Sequence, residues 1–156
     1  MKTIILLIFL CLTSFSPVQG QTKILSFSAS KANGSSWSDL DKRYKNALDA
    51  DSALAVFKTA EEQANLIEAY QGFLVAISNH LSEQGVKWKG TTRIFNRFYF
   101  DRNGNVEYYS YTFLSNPPNE ADERQFVDAM SSFFKAHRFG VTADVPFAQC
   151  SPVTFQ

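Results

Sequence analysis

Residues 97–113 read RFYFDRNGNVEYYSYTF, and no other stretch limits the fold as strongly. Asp-Arg-Asn-Gly at residues 101–104 fits a type I turn closed by Gly104 in the left-handed region, a short loop joining two antiparallel strands. The flanks are dominated by Tyr, Phe and Val, which suit a pleated, half-buried surface. Pairing Asp101 with Asn105 sets Phe100 opposite Val106, Phe98 opposite Tyr108 and Asn96 opposite Ser110.

With regular alternation, those residues and Ile94 share one face. The other face then carries Phe95, Arg97, Tyr99, Glu107, Tyr109, Tyr111 and Phe113, aromatic and charged together. The first face suits a core. The second contains the candidate partner-binding residues Arg97, Tyr99, Glu107, Tyr109 and Tyr111. Arg97 opposite Tyr109 could lay its guanidinium on the ring, and amphipathic aromatics are enriched at interfaces. The competing reading buries this face beneath the N-terminal helices.

The chain opens MKTIILLIFLCLTSFSPVQGQTK. Lys2 precedes an apolar run over residues 4–12, Pro17 breaks it, and Val18 and Gly20 are small residues at the −3 and −1 positions of a cleavage site. Residues 1–20 therefore read as a signal peptide, and the expected location is periplasmic or secreted. The run is shorter than the ~20 apolar residues of a spanning helix, so no transmembrane segment is expected in the mature chain. Cys11 falls in the discarded peptide. That leaves Cys150 without an intramolecular partner, and a lone thiol of this kind is expected to be buried and inert. Fifteen basic side chains balance fifteen acidic ones, which removes the electrostatic case for nucleic acid or an anionic membrane.

Residues 21–36 are polar and Ser-rich and read as a flexible arm or an edge strand. Residues 37–156 read as a single α+β domain. Ser38 with Asp39 and Asp41 marks a short helix start, and residues 52–57 suggest a further helical turn or two. Thr59 and Glu62 form a capping box. Behind it Leu66, Ile67, Tyr70, Phe73, Leu74, Ile77 and Leu81 recur at helical spacing as far as Gly85. Asn119 caps a third helix, whose stripe is Phe126, Val127, Met130, Phe133, Phe134 and His137. The tail FAQCSPVTFQ is a strand that Pro152 confines to an edge or a bulge.

The sequence offers no catalytic constellation, and no metal or cofactor is expected. His80 and His137 lie on different helices with no second ligand at metal spacing. Residues 101–105 depart from a calcium loop, with Thr112 where the bidentate Glu belongs. No Gly-rich phosphate loop is present. Cys150 sits in no nucleophile turn, though a pairing with His137 in space is conceivable.

From Thr92 onward the order is strand, Asp-x-x-Gly-x-Val turn, strand, helix, strand. The pieces FYFDRNGNVEYYSYTF, ERQFVDAMSSFFKAHRF and CSPVTF resemble the C-terminal domain of TonB-type energy transducers. The resemblance rests on Asp101, Gly104, Val106, Phe139, Val153 and Phe155, and covers residues 92–156 only. A Pro-rich spacer and a Tyr-Pro signature before the hairpin are lacking, so no functional residue of that family carries over.

The expected fold is α+β: N-terminal helices, then a three-stranded antiparallel sheet in ββαβ order with the helices packed on one face. The expected function is that of an exported, non-enzymatic binding or adaptor protein. Its expected partner is a protein or peptide, such as another exported or envelope protein, taken through a sheet edge or the aromatic hairpin face. A small-molecule carrier with a pocket between helices and sheet is the alternative, and a hydrolase with an unrecognised site the third. If the export reading holds, N-terminal sequencing of the protein secreted by its host begins at Gln21. A product beginning at Met1 in the membrane fraction would contradict it.

Overall fold

The computed structural model describes residues 21–26 and 37–156. The expected signal peptide and residues 27–36 of the expected arm lie outside the described residues. The elements are β1 (Lys23–Ser26), α1 (Trp37–Arg43), β2 (Lys45–Asn46), α2 (Ala60–Glu83), β3 (Thr92–Phe100), β4 (Val106–Ser115), α3 (Glu120–Ala136) and β5 (Phe147–Phe155).

They form one mixed sheet in the order β1-β4-β3-β5-β2. This corrects the expected three-stranded antiparallel sheet. β4, β3 and β5 pair antiparallel, but β1 adds to β4 and β2 adds to β5 in parallel. The two added strands are four and two residues long, too short to carry an alternation that sequence can register. The helices are not confined to the N-terminal part or to one face. α2 and α3 pack under the sheet, while α1 reaches the opposite, outer face through Leu40 and the following Tyr44. Residues 52–57 form turns rather than helix. That segment is fastened by backbone bonds from Val56 N–H to the Asn46 carbonyl (3.0 Å) and from Phe57 N–H to that of Ala47 (3.2 Å).

The two long helices start where their side chains can satisfy free amides. Thr59 Oγ1 accepts from the Glu62 amide at 3.2 Å, and Glu62 Oε2 accepts from the amides of Thr59 and Lys58 at 2.9 and 2.8 Å. Asn119 Oδ1 accepts from the Asp122 amide at 2.9 Å. Their apolar stripes then meet the sheet. Leu66, Tyr70, Phe73, Ile77 and Leu81 of α2 and Phe126, Met130, Phe133 and Phe134 of α3 are all buried. Phe73 is central, with its ring 5.6 Å from Phe98, 6.0 Å from Phe100, 5.5 Å from Phe133 and 5.5 Å from Phe139. All four contacts are edge-to-face, the geometry the ring quadrupoles favour.

The hairpin turn is held from outside as well as within. Asp101 Oδ1 accepts from the amides of Asn103 and Asn105, both at 2.8 Å. The Phe139 amide donates to the Gly104 carbonyl at 2.9 Å, and the Ala143 amide to that of Arg102 at 3.1 Å. Gly104 has φ +81°, and a Cβ there would collide with the Phe139 carbonyl oxygen. Left-handed backbone costs a non-glycine residue ~1–2 kcal/mol, and overpacking adds ~1–3 kcal/mol. Gly104→Ala is therefore expected to lower stability by roughly 2–4 kcal/mol in urea melts. A loss below about 1 kcal/mol would show that the turn does not depend on this approach.

Candidate functional site

The structure divides the five candidate partner-binding residues between the two faces of the sheet. Tyr99 pairs with Tyr108 and Phe100 with Val106, so Glu107 is the extra residue of a β-bulge. A one-residue insertion reverses the side-chain alternation of everything beyond it. Phe98 therefore opposes Tyr109, Asn96 opposes Tyr111 and Arg97 opposes Ser110, each one place from the register that regular alternation predicts.

Tyr109 and Tyr111 consequently point under the sheet, at 0% and 5% exposure. The Tyr109 ring stacks on Phe98 at 4.9 Å and its hydroxyl donates to Asn96 Oδ1 at 2.6 Å. Tyr111 lies edge-on to Phe126 at 5.3 Å and donates to Glu123 Oε1 of α3 at 2.7 Å. Burial is the main force raising both phenol pKa values, and the Glu123 carboxylate raises that of Tyr111 further.

Arg97, Tyr99 and Glu107 stay on the outer face, where α1 docks. Arg97 Nη2 donates to Asp41 Oδ1 at 2.5 Å, and its guanidinium lies 5.3 Å from the Tyr99 ring rather than on Tyr109. Glu107 accepts from Arg43 through both oxygens at 3.1 Å and from the Tyr44 hydroxyl at 2.5 Å. Tyr44 meets Tyr99 edge-on at 5.2 Å and Tyr108 at 6.0 Å. Tyr99 is fully buried, and burial pushes its pKa up to about 12. The bulge leaves Glu107 on the outer face as the acceptor for α1 and sets Tyr108 beside it. Sequence reasoning missed Asp41, Arg43 and Tyr44, because their partners lie more than fifty positions away.

The sheet edge is the second candidate surface. β2 covers β5 only at Phe147 and Ala148. Lys45 N–H bonds the Pro146 carbonyl at 3.2 Å and Ala47 N–H that of Ala148 at 2.8 Å, so even-numbered residues aim their backbone groups away from β3. The same side therefore presents the amide and carbonyl of Cys150 and of Thr154, and the carbonyl of Pro152. Among the described residues no strand pairs with this edge at residues 149–155. Pro152 sits where its missing N–H costs no bond to β3. Cys150 is exposed, which corrects the expected buried thiol. It belongs to the outer face, with its pairing partner Arg97.

The histidines belong to the helix packing. Ser132 Oγ donates to the Ala129 carbonyl at 2.8 Å, so the 2.7 Å contact with His80 Nε2 has the imidazole as donor and does not activate the hydroxyl. His137 stacks on Phe133 at 4.2 Å beneath the sheet, on the side away from Cys150, so the conceivable Cys150–His137 pair is not brought together. Among the described residues no group of three or more His, Cys, Asp or Glu side chains could hold a metal, and no helix is long and apolar enough to cross a membrane.

No family model matches this chain, and no curated protein or solved structure matches it. With both tyrosines in the core, Tyr109→Ala is expected to cost ~3–5 kcal/mol, as much as Phe98→Ala. In denaturant melts, a loss under about 1.5 kcal/mol for Tyr109→Ala would restore the regular register.

Proposed function

We propose that this is a non-enzymatic binding protein that captures an extended peptide segment by strand addition along β5. The observation that carries the reading is the open edge at residues 149–155, in a sheet whose other described positions on that side are closed by β2. Such an edge supplies main-chain hydrogen bonds to any extended partner, while the side chains beside it select among partners. The neighbours are polar or small: Cys150, Pro152 and Thr154 on the outer face, Gln149, Ser151 and Val153 on the inner.

Pro152 argues for a different polypeptide over a second copy. Two copies paired antiparallel about the middle of this edge would set proline against proline and lose both central donors. A foreign strand can place its own donor opposite the Pro152 carbonyl. The signal-peptide reading of residues 1–20 sets this activity in an exported compartment, and a relationship to TonB-type C-terminal domains is part of the same proposal.

Selection from a phage-displayed library of short random peptides tests the reading. Selected peptides are expected to slow hydrogen exchange at the Cys150 and Thr154 amides and to lose binding to Thr154→Pro. Failure to select any peptide, or binders that leave both amides unprotected, would overturn it.

A further inference from the structure

At the turn end of the sheet, three loops enclose a cleft of about 860 Å³. Its walls are the segment between β2 and α2, the hairpin turn at Arg102 and Asn103, and residues 142–145 before β5. Backbone hydrogen bonds tie these walls to one another. Lys45 N–H reaches the Pro146 carbonyl, Ala143 N–H that of Arg102, and Val56 N–H that of Asn46. The cleft is therefore built into the fold, as ligand sites commonly are, and its size lies within their usual range.

The lining is divided in a way that points to one ligand chemistry. Leu54, 62% exposed, Val56 and Val145 supply apolar surface. Lys45, Lys58 and Arg102 supply three cations, and among the described residues none of them has an ion pair or a side-chain hydrogen bond. Three acids also line the cleft, so formal charge alone does not choose between an anion and a cation.

Hydrogen-bonding capacity does choose. Asp49 accepts from Asn46 Nδ2 and from the Asp51 amide, both at 3.0 Å, and Glu62 accepts from the Lys58 and Thr59 amides. These bonds hold both carboxyls below their ordinary pKa values and already engage both oxygens of Asp49 and Oε2 of Glu62. Among the described residues Asp144 is the one lining acid that accepts no hydrogen bond, against three cations whose side chains donate none. A cationic guest would find one wholly unengaged carboxylate and two already shared with the chain. An anionic guest would find as many as three charge-assisted donors.

We infer that this cleft is a binding site for a small organic anion with an apolar body, such as an aromatic or branched carboxylate or sulfonate. The anionic group would sit among Lys45, Lys58 and Arg102, and the body against Leu54 and Val56. This site is separate from the β5 edge, and neither proposal depends on the other.

The probe is 8-anilinonaphthalene-1-sulfonate, with the uncharged N-phenyl-1-naphthylamine as its comparison, added to the intact native protein. Saturable fluorescence gain with the sulfonate is expected, with amide shift changes at Val56, Arg102 and Ala143. Lys58→Gln with Arg102→Gln is expected to weaken binding at least about tenfold, since each charge-assisted bond is worth about that factor or more. Lys89→Gln, outside this cleft, is expected to leave binding unchanged. Among the described residues the Lys58 and Arg102 side chains make no hydrogen bond or ion pair, so the melting temperature of the double variant is expected to hold. Absence of saturable binding, equal affinity for the uncharged compound, or full affinity in the double variant would each overturn the assignment.

Discussion

The β-bulge at Glu107 decides how this molecule is layered. One residue without a cross-strand partner reverses the alternation along the rest of β4. Tyr109 and Tyr111 are thereby brought under the sheet, and Tyr108 to its outer face beside Glu107. Without the bulge, two tyrosines would face α1 and the helices below would meet Tyr108 and Ser110. With it, the inner layer closes around rings from every long element, while Glu107 on the outer face is the acceptor on which Arg43 and Tyr44 converge. Core packing below follows from this irregularity, and so does the place of Tyr108 beside Tyr44 above.

The buried tyrosines illustrate what such a layer demands. A phenol hydroxyl in an apolar core must find a partner or carry the desolvation penalty. Tyr109 finds Asn96, Tyr111 finds Glu123 and Tyr70 finds Ser151 at 2.9 Å. Each bond ties a different pair of positions: two neighbouring strands, β4 to α3, and α2 to β5. Aromatic residues thus supply contact area and, through their tips, directional bonds that fix how helices sit on the sheet.

The margins of the sheet follow a different logic. β1 and β2 cover only parts of the strands they join, and among the described residues the longest stretch left open is on β5 beyond Ala148. Pro152 lies within that stretch, on the side where it interrupts the ladder offered to another chain without disturbing the one to β3. The edge is thereby guarded against self-pairing while keeping enough unpaired backbone groups to accept a different strand. At the turn end, contacts between Gly104 and Phe139 and between Arg102 and Ala143 keep the cleft's walls in fixed relation.

The local signals were legible in residue order because the groups concerned lie within a few positions of one another. The Thr59–Glu62 capping box, the Asn119 cap, the left-handed Gly104 and the two helical stripes stand where the sequence puts them, except that Ile67 and His137 are exposed rather than in the stripes. The register beyond the turn was not legible. A bulge adds one residue without a distinctive side-chain signature, and its position is chosen by which face of β4 the helices cover. The parallel additions of β1 and β2 were hidden for a related reason: each depends on a partner strand far along the chain, and neither is long enough to show a period. Sequence by itself determined the two long helices, the hairpin and its turn. Only the tertiary structure decided which aromatic residues became core, where α1 found its acceptor and which sheet edge stayed open, because these are settled by contacts between residues that the chain keeps far apart.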